Sequence, residues 1–372
     1  MQHDIDTAAA SLDASLIALR RDIHAHPELA GHEARTAALV AARMRAAGLA
    51  VTTGVGGHGV IAVLEGARPG RTIAYRADMD AVPPHAQSGG GTEPAHLCGH
   101  DVHTTVGVGV AEVLAGLRDR LAGRHVFLFQ PAEEDLTGAR AMLAEDALDG
   151  VDEIHALHCG PMPAGTITVT PGNGLPGLDT CVITTASPGD AAQLATDIAE
   201  LGTVTPPRSP GELEGLITDL TTPGGRLSTF VYMRASAVGD TVHAAWRTWP
   251  EDRAETVRAD VTALADDTGV VFTAEPFPAL VCPEPDALAL ARHLRATGVP
   301  VGVAHAATPF SGEDFALFLR RVPGTYSYLG VRRPGAPLVT GFPHDTAFDP
   351  DETAIGTGVR AMAGWLAARA AG

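Results

Sequence analysis

The sequence predicts an α/β protein, in which helices cover a mostly parallel sheet and a ferredoxin-like α+β segment is inserted at residues 178–282. Three observations point there. Up to about residue 177, strand-like and helical stretches alternate, the pattern of a sheet covered on both faces. Between 178 and 282 the order becomes β-α-β-β-α-β, that of an independent small domain. After Cys282 the alternation returns, and 372 residues suit two domains better than one. The expected parts are therefore 1–177 together with 283–372, and 178–282.

SLDASLIALRRDIHAHPEL begins with a capping Ser and carries an apolar stripe at helical spacing until Pro27 stops it. EARTAALVAARMRAAG restarts a helix that Gly48 ends. VIAVLEG and RTIAYRADMD are strand-like, with β-branched residues between glycine-rich turns. HTTVGVGVAEVLAGLRDRL reads as a helix, HVFLFQ as a buried strand, TGARAMLAEDAL as a helix and EIHALHCG as a strand. In the inserted segment LDTCVITTA, ELEGLITDL, STFVYMRASA, HAAWRTW and VVFTAEPF are strand-like, whereas DAAQLATDIAELG and EDRAETVRADVTALADDTG are helical. EPDALALARHLRATG, GEDFALFLRRV and DETAIGTGVRAMAGWLAARA are expected helices around the strand TYSYLG.

With 26 basic and 44 acidic residues the formal charge is −18, which disfavours nucleic acid and anionic membrane as partners. No apolar run is long enough to span a bilayer, and no basic segment followed by an apolar one suggests a signal peptide. Four scattered cysteines fit a reducing compartment, and a cytoplasmic location is expected.

The chemistry concentrates in a few runs. HLCGHDVHTT puts His96, Cys98, His100, Asp101 and His103 together after a glycine-rich loop, where α/β sheets place their sites. A thiolate and an imidazole separated only by Gly99 could ligate one ion or two adjacent ions. FQPAEED ends a strand with Glu133, Glu134 and Asp135; neighbours in an extended chain point apart, so one carboxylate could bind metal while the other moves protons. His155 and His158 are three apart in a strand, so one faces the cleft and the other packs. His344 sits in a Gly/Pro-rich loop, and Asp80 could orient a ligating imidazole through its second nitrogen. In SGEDFALF, Ser311 and Asp314 suit a helix capping box.

Together RRDIHAHPEL, RADMDAVP, HLCGHDVHTT, FQPAEE, ALHCGP, SGEDFA and PHDTAFDPDE resemble the M20 metallopeptidase family. The likeness is to its amidohydrolase branch of hippurate hydrolases, N-acyl-amino-acid deacylases and auxin-conjugate hydrolases. The resemblance implies a catalytic α/β/α domain with an inserted lid. It implies two divalent cations, Zn, Mn, Co or Ni, on Cys98, His100, Glu134, His158 and His344, with Cys98 bridging. It implies that Glu133 is the general base in hydrolysis of an N-acyl amino acid or related small amide. A dipeptidase-like activity and an impaired metal-binding homologue are the alternatives, and the protein is a monomer or a homodimer.

The inserted segment departs from the family pattern. The resemblance implies a Gly-His pair after its first strand, but SPGDAAQLA places Asp190 there. The expected Asn-Val-Ile-Pro is absent from ASAVGDTVHAAWRTW, where Arg247 matches the strand's Arg and His243 is a possible substitute for the missing His. A further family Glu appears as His85. Asp80, Asp101, Asp190, His243 and Arg247 are therefore the expected supporting or substrate-facing residues.

Overall fold

Eight strands form the main sheet, in the order Ala50–Val55, Gly59–Glu65, Ala122–Gln130, Arg68–Asp78, Glu153–Pro163, Gly324–Arg332, Ile167–Val169 and Val301–Val303. The central four, from Ala122–Gln130 to Gly324–Arg332, run parallel. Their C-terminal ends therefore fall along one edge, where loops can gather functional groups. Ala122–Gln130 is buried along almost its whole length, as a strand covered on both faces must be. The sheet belongs to the first of two compact units in the computed structural model, which describes residues 1–266 and 269–372. That unit comprises Met1–Gly172, Cys282–Val303 and Leu317–Gly372.

Helix Gln2–His24 begins well before the expected Ser11, because Ile5, Ala9, Leu16 and Ile23 continue one buried stripe through the whole segment. Helix Ala34–Ala46 ends near Gly48, whose φ of 79° lets the chain reverse. The edge strand Ala50–Val55 escaped the sequence reading, since its largely exposed AVTTGV carries no apolar period. Helix His100–Gly116 is nearly all buried and packs between Gln2–His24 and Thr353–Ala370. Gly109 permits this approach, because a Cβ there would lie 2.6 Å from Val359 Cγ2 and 2.8 Å from Leu16 Cδ1. Of the expected helix GEDFALFLRRV only Phe315–Leu319 is helical. The Ser311–Asp314 capping box is not formed as expected; instead the Glu313 carboxylate accepts from the Phe315 N–H.

The second unit comprises Asn173–Val281 and Ala304–Ala316. Its sheet orders Val270–Phe272, Asp179–Thr184, Thr241–Trp249 and Phe230–Val238, all antiparallel. Numbered along the chain this is 4-1-3-2, the ferredoxin-like arrangement. Ile183, Leu194, Ile198, Trp246, Val257 and Val261 form its core with helices Pro188–Ala199 and Arg253–Leu264. ELEGLITDL, expected as a strand, is instead the helix Pro210–Thr221. Ser209 caps it by accepting from the Glu212 N–H, Pro210 fixes its first turn, and Leu213, Leu216 and Leu220 bury one face. The expected helix EDRAETVRADVTALADDTG is observed as Arg253–Leu264, and its Asp267 and Thr268 lie outside the described residues. The stretch 304–316, read from sequence with the C-terminal part, is tied here by backbone and by the Asn173 side chain. His305 N–H donates to the Leu220 carbonyl, and the Asn173 amide to that of Ala304. Among the described residues no helix is long and apolar enough to cross a membrane.

Candidate metal centre

At the C-terminal edge of the parallel strands, five segments of the first unit converge. Arg68–Asp78 leads to Asp80; the following loop ends in Cys98 and, at a helix start, His100. Ala122–Gln130 leads to Glu133 and Glu134, Glu153–Pro163 carries His158, and the loop after Gly324–Arg332 carries His344. Ligand atoms of Cys98, His100 and His158 lie within 4.8 Å of one another, as do those of Cys98, Glu134 and His344, and those of His100, Glu133 and Glu134. Cys98 belongs to the first two sets and joins them. Cys98 Sγ is 3.4 Å from His158 Nε2, and His344 Nε2 is 3.3 Å from Glu134 Oε2.

The three imidazoles share one arrangement. His100 Nδ1 donates to the Asp80 carbonyl at 2.9 Å and to Asp80 Oδ1 at 3.1 Å. His158 Nδ1 donates to the Cys159 carbonyl at 2.9 Å and His344 Nδ1 to the Ala86 carbonyl at 3.3 Å. Each Nε2 is thereby directed into the cluster, as in metal-ligating histidines. His100 Nε2 and Glu134 Oε1 are buried with no hydrogen-bond partner among the described residues. Burial, with Glu134 and Glu133 adding, holds the Cys98 thiol well above its usual pKa. A divalent cation is the group that would offset this, since a coordinating thiol deprotonates. Burial works to lower the His100 pKa, but Asp80, Asp78 and Glu134 outweigh it and raise it to about 10. Burial opposes ionisation of Glu134, and the facing His344 outweighs that, holding the carboxyl below its usual range. The cluster is therefore a concentrated acid, thiol and imidazole set whose donors fit divalent cations.

Several expectations change in detail. Glu133 and Glu134 do not point apart. Their Oε2 and Oε1 atoms lie 3.7 and 3.9 Å from the same His100 Nε2. The reason is local: Ala132 is left-handed at φ 52° and the chain turns there instead of running extended. Gly99 is required less by metal crowding than by backbone. Its φ is 86°, and a Cβ would lie 2.6 Å from Cys159 Sγ. Asp80 does face His100, and its Oδ2 also accepts from the Glu134 N–H at 2.9 Å. Asp101 is not beside the cluster donors; it is an anchor, paired with Arg20 Nε at 2.7 Å and His24 Nδ1 at 2.8 Å. His155 packs away from the cluster against Thr325 and Trp365. His96 is buried, and burial lowers its pKa to about 4, so it is neutral and belongs to none of the donor sets. His85 and Asp135 are exposed.

Residues to which the sequence analysis gave no role of their own support the cluster. His103 Nε2 accepts from the Cys159 N–H at 2.8 Å, and its Nδ1 faces Asp78 Oδ2 at 3.4 Å. Asp78 in turn is held by the buried Arg76. Glu33 accepts from the Ala132 N–H. The conjunction of Asp78 and His103 on one strand end and one helix turn was the only sequence signal for this layer.

The second unit accounts for the remaining three residues. Asp190 is exposed at the start of helix Pro188–Ala199, in a capping box with Ser187. That helix-start duty gives Asp190 a local structural partner beside the supporting or substrate-facing role expected from sequence. His243 is exposed and Arg247 half-buried, on one face of Thr241–Trp249. Arg247 Nη1 reaches the Pro176 carbonyl at 3.5 Å.

The model of peptidase family M20/M25/M40 matches residues 74–368. The chain belongs to that family. N-acetylcysteine deacetylase of Bacillus subtilis (strain 168) is 30% identical over 364 residues, 91% of this chain and 93% of that protein. A protein of Synechocystis sp., named a probable hydrolase, is 41% identical over 175 residues, which are 45% of this chain and 44% of its own length. The Bacillus subtilis YXEP protein, described as a dinuclear metal binding peptidase from the M20 family, superposes with a TM-score of 0.73. It is 27% identical and the match covers 96% of this chain and 98% of that one. The M20 chain described here is a hydrolytic enzyme with an α/β catalytic fold and an inserted ferredoxin-like domain. Its chemistry is that of metal-dependent amide hydrolysis.

Proposed function

We propose that this M20 enzyme hydrolyses the amide bond of an N-acyl amino acid or related small amide, with Glu133 as general base. Two divalent cations would be held by Cys98, His100, Glu134, His158 and His344, with Cys98 shared. The observation that carries this reading is the pair of donor sets that meet at Cys98, lined by three imidazoles whose outer nitrogens are tied to acceptors. When bound, such cations polarise a carbonyl and lower the pKa of water. The protein's own contributions are then definable. Glu133 is 6% exposed, with a carboxylate oxygen 3.7 Å from His100 Nε2. It takes the proton of the attacking water and delivers it to the leaving nitrogen. Asp80 fixes the His100 ring and the Glu134 backbone, so the base and the neighbouring ligand keep their separation. Residues 1–177 with 283–303 and 317–372 act as the catalytic part, and 178–282 with 304–316 as the lid.

The substrate class rests on similarity to the N-acetylcysteine deacetylase and on the donor set, and Zn, Mn, Co and Ni all suit that set. A cytoplasmic location belongs to the same proposal. The test is release of free amine from a panel of N-acyl amino acids by the Mn- or Zn-supplemented enzyme. Turnover that Glu133→Gln lowers by about 10²–10⁴-fold, with metal retained, is expected. Absence of turnover across the panel by metal-loaded enzyme would refute the deacylase reading.

A further inference from the structure

The turn that carries Glu133 and Glu134 begins at Ala132, whose φ is 52°. A residue with a Cβ enters that region at a cost and stays there only where neighbours hold it. Glu33 is the neighbour that does so. Its Oε1 accepts the Ala132 N–H and the Gly31 N–H, both at 2.8 Å. Glu33 is 0% exposed. It stands at the start of helix Ala34–Ala46, where an acid ordinarily serves the first free amides. Here those amides are already taken, since the Glu28 carboxylate accepts from Arg35 and Thr36 N–H at 2.9 and 2.8 Å. Glu33 is thereby released to turn inward. Its Oε2 has no hydrogen-bond partner among the described residues. A buried carboxyl group only half satisfied opposes folding, and burial accordingly raises the Glu33 pKa. On the far side of Glu133, Asp80 Oδ2 holds the Glu134 N–H. The turn is thus pinned at both ends, by Glu33 at Ala132 and by Asp80 at Glu134.

We propose that Glu33 is a positioning residue: by holding the Ala132 amide it sets the left-handed turn that aims Glu133 and Glu134 at His100. The proposal rests on the reading of Glu133 as base and Glu134 as ligand. Glu33 lies outside residues 74–368, the part matched by the family model.

Four proteins test it: wild type, Glu33→Gln, Glu33→Leu, and Glu33→Leu combined with Ala132→Gly. Two readouts are used, deuterium exchange of peptide 131–136 without added metal and Zn affinity by chelator competition. Glutamine keeps a carbonyl oxygen for both N–H groups, so Glu33→Gln should match wild type in both. Leucine removes the acceptor, so the Ala132 amide should exchange at least about tenfold faster and Zn should bind about 10–100-fold more weakly. Glycine adopts positive φ without a Cβ penalty, so the double variant should recover most of the Zn affinity while exchange stays fast. Wild-type exchange and Zn affinity in Glu33→Leu would overturn the proposal. So would a Glu33→Gln as defective as Glu33→Leu, or a double variant no better than Glu33→Leu. Should Glu33→Leu fail to fold, restoration of folding by Ala132→Gly supports the proposal and failure to restore overturns it. The exchange readout needs neither metal nor substrate. A wild type that releases no amine, yet shows the expected exchange pattern, would refute the proposed function and leave this inference standing.

Discussion

Replacing Asp80 by Ala removes a carboxylate that works on two proposed metal ligands at once. Asp80 is 0% exposed, with Oδ1 3.1 Å from His100 Nδ1 and Oδ2 2.9 Å from the Glu134 N–H. Hydrogen bonds to a charged group are worth about 1.5–3 kcal/mol each. The two losses are unequal. His100 Nδ1 keeps the Asp80 backbone carbonyl at 2.9 Å, whereas the Glu134 N–H has no other partner among the described residues and would be left unpaired. One full bond lost, about 1.5–3 kcal/mol, corresponds to roughly 10–150-fold in metal affinity, in line with measured effects of outer partners of metal ligands. The assay is Zn competition against a chromophoric chelator, with thermal unfolding as a control for folding. A folded Asp80→Ala protein that binds Zn within about threefold of wild type would refute the reasoning, since loss of an outer partner typically costs about 10–100-fold. Asp80→Asn should fall between, because its amide offers one acceptor but points N–H₂ at a second donor.

Other outcomes follow from single features. Gly99→Ala combines a positive φ with a Cβ 2.6 Å from Cys159 Sγ, so a loss of about 1–3 kcal/mol in urea unfolding is expected, part of it recovered by Cys159→Ala. Asp101→Asn should lower the unfolding temperature by removing the buried charge that faces Arg20 at 2.7 Å, yet leave metal stoichiometry unchanged by elemental analysis. Burial opposes ionisation of Glu153, and His155, Arg369 and Arg71 outweigh it, so its carboxyl titrates well below the usual range. A depressed pKa contributes stability that is present above the unfolded value of about 4.3 and is lost as pH falls below it. Glu153→Gln should therefore flatten the decline of the unfolding free energy between neutral and acid pH, measured by urea unfolding at a series of pH values.

Much of this architecture was legible because it is periodic. The helices and strands around the central sheet carry apolar stripes or β-branched runs, and the inserted β-α-β-β-α-β order is visible in the same way. Elements without that signal were lost. Ala50–Val55 is an exposed edge strand, and in Pro210–Thr221 the cap at Ser209 decides for helix where ELEGLITDL alone suggests a strand. The proposed ligand set could be named because Cys98, His100, Glu134, His158 and His344 sit in short motifs at strand ends, and the fold brings their donor atoms together. Their support was not. Glu33 and Ala132 are about a hundred residues apart in sequence, and only the fold brings them to 2.8 Å. Asp101 misled for the opposite reason. It sits within the run that carries Cys98 and His100, but the helical turn beginning at His100 directs it to Arg20 and His24.

The central claim is a pair of cations sharing Cys98, and anomalous scattering from crystals of the Zn- or Mn-loaded enzyme tests it most directly. Two peaks are expected, one among Cys98, His100 and His158 and one among Cys98, Glu134 and His344, with Glu133 within reach but outside both coordination shells. A single peak, or two that do not share Cys98, would contradict the account.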